Sequence, residues 1–550
     1  MPQLSIPPLT HQIDNQVPPL SGHNPWASDP LLQQAVKREG GGWIEAQAHA
    51  LGTLVGGEHM QELAREANHK PPELHTHDAQ GHRIDEVRYH PAYHELMGIA
   101  FGAGLHALAW TAHQPGAFVA RAALNFLWNQ GENGTACPVT MSFASIAVLR
   151  HSPELSHHWE PRILAPRYDP RALPVSSKEG ASIGMAMTEK QGGSDLRANS
   201  TQARIDAGAR HLLTGHKWFC SAPMSDAFLT LAQRPEGLSC FLVPRILPDG
   251  KRNRIFIQRL KDKLGNRSNA SAEIEYERAQ GWLIGEPGRG IATLIEMAHL
   301  TRFDIVIAVA GTMRAALNHA LHHARHREAF GKKLADHALM RNVLADLALE
   351  SQASTLLALR LAGAFDRMHQ DENELALTRI LTPVAKYWLC KRLPPFVAEA
   401  LECLGGNGYV EDWPLARLYR EAPLNGVWEG SGNVICLDVL RALQKTPGTL
   451  DALRKEIEPA AKSEPRLARY VEGLIGMMHG IGEGQARALT EKLALAMQAA
   501  LLIRYGDAAI ANSFIATRLG DAGGYAFGTL PADTNAETLL LGVGKLGVGG

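Results

Sequence analysis

Trp428-Glu429-Gly430-Ser431-Gly432-Asn433 is the stretch on which the reading of this chain turns. One carboxylate stands among small residues. Glycine lets a backbone come close to a flat ligand and adopt conformations closed to other residues. A single glutamate held in such a loop is suited to taking a proton from carbon. Upstream lies Met185-Ala186-Met187-Thr188-Glu189-Lys190-Gln191-Gly192-Gly193-Ser194-Asp195, a turn rich in glycine and hydroxyls. Between the two comes Arg327-Glu328-Ala329-Phe330-Gly331.

The chain carrying these segments has 550 residues, enough for a large core and three or four domains. Its composition is that of an ordinary soluble protein, and a formal net charge of -1 supplies no overall attraction to nucleic acid or membrane. The cysteines Cys137, Cys220, Cys240, Cys390, Cys403 and Cys436 form no CxxC pair, so neither a zinc knuckle nor a redox pair is indicated. Their scatter fits reduced thiols and a cytoplasmic location. The start, Met1-Pro2-Gln3-Leu4-Ser5-Ile6-Pro7-Pro8, has neither the basic residues nor the apolar run of a signal peptide. No apolar stretch approaches the roughly 18 residues of a membrane span.

Hydrophobic periodicity divides the chain. Residues 1–30 are proline-rich and read as an extended arm that wraps a neighbour or stays mobile. Residues 31–181 read as a helical domain, with Val119 to Leu127 and Thr140 to Arg150 as clear helical stretches. Over 182–285 the period shortens, and apolar runs such as Ala227-Phe228-Leu229-Thr230-Leu231 and Cys240-Phe241-Leu242-Val243 predict a β-domain. Residues 286–445 read as a helical bundle carrying the Glu429 loop, with Thr301 to His326 and Leu339 to Arg367 long enough to cross it. Pro383 and Pro394-Pro395 are expected to interrupt its last stretch. Residues 446–550 read as an extra helical domain, helical to about Arg504 and then glycine-rich. The fold class is α+β.

Taken in order, the three quoted segments resemble the flavin-binding and base segments of the acyl-CoA dehydrogenase family. The resemblance implies FAD as cofactor. A flavin dehydrogenase needs hydroxyl and amide donors at the ring edge and an apolar wall behind it. Met185, Thr188, Gly193 and Ser194 fall in the first segment. Phe219-Cys220-Ser221, in Gly215-His216-Lys217-Trp218-Phe219-Cys220-Ser221, falls where the family has Trp-Ile-Thr against the flavin. Arg327 and Phe330 match Arg-x-x-Phe-Gly, whose arginine reaches the cofactor pyrophosphate across a subunit boundary. A guanidinium suits a phosphate by its fixed fork of donors. Leu404-Gly405-Gly406-Asn407-Gly408-Tyr409 matches the Gly-Gly-x-Gly-Tyr turn near the neighbouring subunit's adenine end, which brings in Gly405.

The pattern Arg417-x-x-Arg420-Glu421, six residues, Trp428-Glu429-Gly430 keeps the family's spacing around its base, with Glu421 for Asp, Trp428 for Tyr and Ser431 for Thr. The resemblance thus makes Glu429 the group that abstracts the α-proton of an acyl thioester, with Trp428, Gly430, Ser431 and Asn433 beside the cofactor. Such chemistry needs a desolvated carboxylate with a raised pKa. Some branches place the base on an upstream helix. Here that stretch is Ala298-His299-Leu300-Thr301-Arg302-Phe303, with no carboxylate before Asp304, which favours position 429.

Gln34 to Trp43, Asp85 to Ala92, Thr188-Glu189-Lys190-Gln191-Gly192-Gly193-Ser194 and the C-terminal extension narrow the resemblance to the AidB-type branch, flavoproteins of the bacterial adaptive response to DNA alkylation. That branch implies a homotetramer, weak dehydrogenation of short or branched acyl-CoA, and double-stranded DNA binding that protects DNA from alkylation. The extension itself carries ten Lys and Arg against eleven Asp and Glu over 451–550, which neither supports nor excludes a DNA surface. Arg441, Arg466, Arg469, Arg487 and Lys492 are the candidate DNA contacts. The alternatives are a metabolic acyl-CoA dehydrogenase whose tail serves oligomerisation, a nitroalkane-type flavin oxidase, disfavoured because that branch uses Asp as base, and a binder with a vestigial cofactor.

Two further patterns carry less. His319, His322, His323 and His326 share one helix face, lack a hydrolase-type carboxylate, and read as a subunit interface near Arg327 rather than a metal site. Gly542-Val543-Gly544-Lys545-Leu546-Gly547 matches GxGxxG with no room for a βαβ unit after it.

Overall fold

The computed structural model describes residues 11–544. Residues 11–29 run without helix or strand and lie against the chain's own body, with Val17, Leu20 and Trp26 buried. The Pro18 carbonyl sits 2.8 Å from His322 Nε2, and the Leu20 carbonyl accepts from Gln61 at 2.6 Å. Of the GxGxxG match, Lys545 to Gly547 fall outside the described residues.

The N-terminal part is helical except for one hairpin that periodicity missed. Strands β1 (Glu73–His77) and β2 (Arg83–Arg88) pair antiparallel. Their composition is polar; Val87 joins the apolar core of the β-domain, and Leu74 packs against it. Helices α1 (Ala117–Gly131) and α2 (Ala136–Leu149) follow. α1 is buried on nearly every face, so its apolar pattern is continuous rather than striped.

Strands β3 (Ile183–Ala186), β4 (Gln202–Ala207), β5 (Arg210–Ser221), β6 (Ala227–Arg234), β7 (Gly237–Pro244), β8 (Ile255–Leu260) and β9 (Ser271–Ile284) form one sheet. The pairings β6–β4–β5–β9–β7–β6 close on themselves into a barrel, with β3 added along β6 and β8 along β9. β6 and β7 are apolar at their buried positions except Thr230 and Ser239, because one face lines the barrel and the other meets helices.

The bundle is built from α3 (Gly290–His326), α4 (Ala338–Arg367) and α5 (Glu372–Glu402), joined by α6 (Pro414–Glu421) and α7 (Gly432–Lys445). α5 runs unbroken through Pro383, Pro394 and Pro395, where a break was expected. Each internal proline costs about 3 kcal/mol. Against roughly 9 kcal/mol stand Leu377, Ile380, Leu381, Val384, Leu389, Leu393 and Phe396, all fully buried, at about 1.5–3 kcal/mol each. Packing therefore outweighs the prolines. Arg121 on α1 and Asp304 on α3 form a buried bidentate pair (2.5 and 2.7 Å), and the Thr140 hydroxyl of α2 donates to the same carboxylate at 2.7 Å. That pair ties the N-terminal helices to the bundle and consumes Asp304.

Helices α8 (Thr449–Ser463), α9 (Pro465–Met478) and α10 (Ala486–Tyr505) form the C-terminal addition. The glycine-rich end is not devoid of structure: residues 508–514 and 536–541 are helical and pack back on the bundle. Arg518 pairs with Asp346 and Glu350, and Phe527 packs edge-on against Phe396. Arg360 bridges Glu374 (2.9 Å) and Glu456 of α8 (2.6 Å), which fastens the addition to α4 and α5.

Candidate active site

Glu429 lies in the turn that enters α7. Its φ of +57° is in the left-handed region, which costs a non-glycine residue roughly 1–3 kcal/mol unless its surroundings impose it. Two cations impose it through carbonyl oxygens. Arg302 Nε donates to the Glu429 carbonyl at 2.9 Å, and Lys386 Nζ donates to the Gly430 carbonyl at 2.9 Å and the Asn425 carbonyl at 3.2 Å. Arg302 is itself anchored on Asp438 (3.0 Å), which also receives Arg379 (2.8 Å). Gly430 follows at φ +104°, where a Cβ would crowd Ile435 and Val434.

The Glu429 carboxyl is left out of these pairings. Among the described residues it has no ion-pair partner; the nearby Thr301 hydroxyl donates to the Ala298 carbonyl at 3.1 Å. Burial pushes its pKa up; the Thr301 hydroxyl and the charges of Arg302 and Lys386 offset this only in part.

Facing it is Cys137, in the first turn of α2. Burial pushes this thiol up to about 11, and its neighbours are Lys263, Ser221, Glu429 and Asn269. Ser221, at the end of β5, and Glu429 thus both lie in the surroundings of the Cys137 thiol. Ser221 Oγ lies 3.2 Å from Ser271 Oγ. Phe219 is half exposed on the same face of β5 as Ser221. Cys220 was expected beside the cofactor too. Its side chain instead points into the barrel core, since successive residues of a strand face opposite ways; only its backbone meets the Ser221 face.

The segment after β3 is bound to β5. The Trp218 N–H donates to the Thr188 carbonyl at 2.8 Å. Lys217 and Glu189 form a fully buried pair at 2.8 Å, and the Glu189 carboxylate also accepts from the N–H groups of Ser200 and Thr201. This holds Thr188, Gly193 and Ser194 beside the β3 end, where Met185 is half-buried. Gly193 touches Thr188: a Cβ there would lie 2.4 Å from Thr188 Oγ1. Trp428 is half-buried, with its Nε1 enclosed and unpartnered. Ser431 is exposed at the start of α7, and Asn433 Oδ1 accepts from Arg487 of α10 at 2.8 Å.

Arg327, Phe330 and Gly405 are not brought to Glu429. Arg302 and Arg327 are 25 positions apart on or at the end of one helix, roughly 37 Å at 1.5 Å per residue. Arg327 Nη1 donates to the Asn15 carbonyl of the chain's own arm, and Phe330 is 97% exposed. Leu404, beside Gly405, lines a cavity of about 470 Å³ together with His23, His319, His322 and His323. The histidine face thus meets the arm, and burial pushes the pKa values of His319, His322 and His323 down. This cavity lies away from the glycine loop, and its carboxylates are those of Glu58, Glu62, Glu411 and Asp412. Among the described residues, no cluster of three or more His, Cys, Asp or Glu is placed to hold a metal.

The candidate DNA contacts differ among themselves. Arg466 is bound by Glu464 (2.9 and 2.8 Å) and Asn512 (2.8 Å), and Arg487 by Asn433. Arg441 is exposed near Asp438, Arg469 is exposed, and Lys492 lies over the Tyr470 ring at 5.0 Å. No described helix is long and apolar enough to cross a membrane.

Comparison with known proteins places this architecture. The acyl-CoA dehydrogenase middle domain matches residues 184–279 and the acyl-CoA dehydrogenase C-terminal domain residues 288–444. The chain belongs to the acyl-CoA dehydrogenase family and is a flavoprotein oxidoreductase of that type. Within it the chain is a member of the AidB branch: the "Adaptive response protein AidB N-terminal domain" matches residues 15–170. The chain is 46% identical to the "Putative acyl-CoA dehydrogenase AidB" of Escherichia coli (strain K12), over 94% of this chain and 95% of that one. It is 31% identical to acyl-CoA dehydrogenase family member 11 of Caenorhabditis elegans, over 79% of this chain and 73% of the relative. Its fold is similar to that of Caenorhabditis elegans ACDH-11 in complex with C11-CoA, with a TM-score of 0.83 at 26% identity, covering 93% and 94% of the two chains.

Proposed function

We propose that the protein is an FAD-dependent dehydrogenase of acyl-CoA thioesters in which Glu429 takes the substrate's α-proton. One observation carries this: a half-buried glutamate whose carboxyl is free of ion pairs and raised in pKa, on a left-handed turn pinned by Arg302 and Lys386. The Glu429 N–H makes no hydrogen bond among the described residues and suits a thioester carbonyl oxygen, where negative charge gathers as the proton leaves.

The residues present fit a flavin. Phe219 offers an exposed aromatic face, Ser221, Thr188 and Ser194 offer hydroxyls, and Trp428 Nε1 is a buried donor without a partner. FAD, when bound, supplies a hydride acceptor for the β-carbon. Arg327, Phe330 and Gly405 sit far from Glu429 in one chain, which supports their serving a second copy's cofactor in a homotetramer.

Glu429→Gln tests the base. The variant should keep FAD and lose bleaching of its absorbance by short or branched acyl-CoA under anaerobic conditions. Normal bleaching would place the base elsewhere.

For the C-terminal addition, membership of the AidB branch supports binding of double-stranded DNA and protection from alkylation, with Arg441, Arg469 and Lys492 as exposed contacts. A purely assembling role is favoured by the ion pairs Arg360–Glu456 and Arg518–Asp346, which commit the addition to its own bundle. Salt-dependent retardation of a DNA duplex at low salt supports the first role, and its absence the second.

A further inference from the structure

Lys263 is a cation for which the base loop has no use. It stands in the segment between β8 and β9, half-buried. Its Nζ donates to the Asn269 carbonyl at 2.6 Å and to Ser271 Oγ at 3.2 Å, and lies 3.5 Å from Asn266 Oδ1. Ser271 Oγ is in turn 3.2 Å from Ser221 Oγ. Among the described residues no carboxylate forms an ion pair with Lys263. The titratable groups that face it are Glu421 from α6 and the Cys137 thiol from α2; Glu132 and Arg417 face Glu421 in turn.

The segment is fastened firmly. Asn266, at φ +55°, gives its N–H to both oxygens of Glu421 at 2.9 Å, and the Ser268 hydroxyl donates to Glu132 at 2.8 Å. Holding a lysine here is costly: burial pushes Lys263 down to about 8, and the Glu421 carboxyl beside it is pushed up to about 7. A methionine would fill the same space without that cost. The position of the ammonium, two hydrogen bonds behind the Ser221 hydroxyl, supplies a reason for it.

We infer that Lys263, acting through Ser271 and Ser221, is a positioning residue that stabilises the negative charge a flavin gains on reduction and so raises its reduction potential. The inference rests on the reading that the flavin ring lies against Ser221. A unit charge at such a distance inside a protein biases an equilibrium by about tenfold. It is held by the protein itself, so salt screens it little.

Midpoint potentials of the FAD-loaded protein, followed by absorbance, provide the test. Lys263→Met should favour the oxidised flavin about tenfold relative to the native protein, about 30 mV for a two-electron couple. Ser271→Ala keeps the cation and cuts the relay, and should shift the potential the same way by less. Lys263→Arg keeps the charge and should stay near the native value. Native potentials in both Lys263→Met and Ser271→Ala would overturn the inference. If Lys263→Met does not fold, a native potential in Ser271→Ala alone overturns it. Failure of the native protein to take up FAD is a separate result: it removes the flavin reading itself.

Discussion

The Glu429 loop and the outer face of the C-terminal addition both gather cations, and use them in opposite ways. At the loop, Arg302, itself held by Asp438, and Lys386 donate to carbonyl oxygens, which fixes a strained backbone and leaves the Glu429 carboxyl without an ion pair. On the addition, Arg466 is neutralised by a neighbouring glutamate at the surface, while Arg469 and Lys492 remain exposed. Charge placed in low dielectric around a fixed geometry makes a site; charge on a solvated face gives at most a binding preference. The same contrast explains why the chain's near-zero net charge says nothing about either region.

The contrast is broken most directly at Glu429. Glu429→Gln should lower the rate of flavin reduction by acyl-CoA by about 10²–10⁴-fold, the usual worth of a general base. The native rate should also depend on pH with a defined sign. Burial raises the Glu429 pKa, so the carboxyl is protonated and inactive at low pH, and the rate should rise through a midpoint above that of an ordinary glutamate. Stopped-flow bleaching across pH measures this. A rate flat across the acid range would deny that Glu429 sets it. Stability should run the other way. A raised carboxyl pKa favours the fold below the unfolded value and loses that contribution as pH rises through the folded one. Glu429→Gln should therefore gain thermal stability over the native protein at alkaline pH, and the gain should vanish in acid.

The next effect sharpens the comparison in energy. Arg302→Met removes the donor to the Glu429 carbonyl and one of the three cations around Asp438, and should cost about 3 kcal/mol of unfolding free energy. Arg466→Ala, which removes an exposed pair, should cost less than about 1 kcal/mol. Denaturant unfolding distinguishes the two. Equal losses would mean that the loop's cations are no better buried than those of the addition.

How much of this was legible in the sequence follows from where each partner sits. Glu429 and its glycines are contiguous, and the β-rich middle and long bundle helices have periodic patterns, so all could be read directly. Cys137, Lys263, Ser271, Thr301 and Lys386 could not. Each is ordinary in its own segment, and only the fold brings them to Ser221 or Glu429. Whether Cys220 turns its side chain or its backbone to the Ser221 face could not be read, because residue type does not reveal which face of a strand is turned inward. The hairpin over 73–88 escaped because its strands are polar and short. The prolines of α5 misled because local propensity was outweighed by burial that local sequence does not display.

A smaller effect concerns duplex DNA. If Arg469 and Lys492 contact phosphates, replacing either with Ala should reduce the slope of log affinity against log salt by about 1. Arg466→Ala should reduce it less, since that guanidinium is already bound to Glu464 and Asn512. Fluorescence anisotropy over a salt series measures the slopes.

The smallest expected effect lies where the two regions touch. Arg487 Nε of α10 donates to Asn433 Oδ1 at 2.8 Å, four residues after Glu429 and in the first turn of α7. An exposed neutral–charged hydrogen bond of this kind is worth about 1 kcal/mol, so Arg487→Ala should slow acyl-CoA bleaching a few-fold and leave FAD content unchanged. Arg469→Ala, on the same addition without contact to the loop, should leave the rate unchanged. If Arg487→Ala is silent, the addition and the loop are mechanically independent. If it acts and Lys can restore it, then the cation on Asn433 is the link. A polyanion that draws Arg487 away should in that case slow bleaching of the native protein and leave Arg487→Ala unaffected.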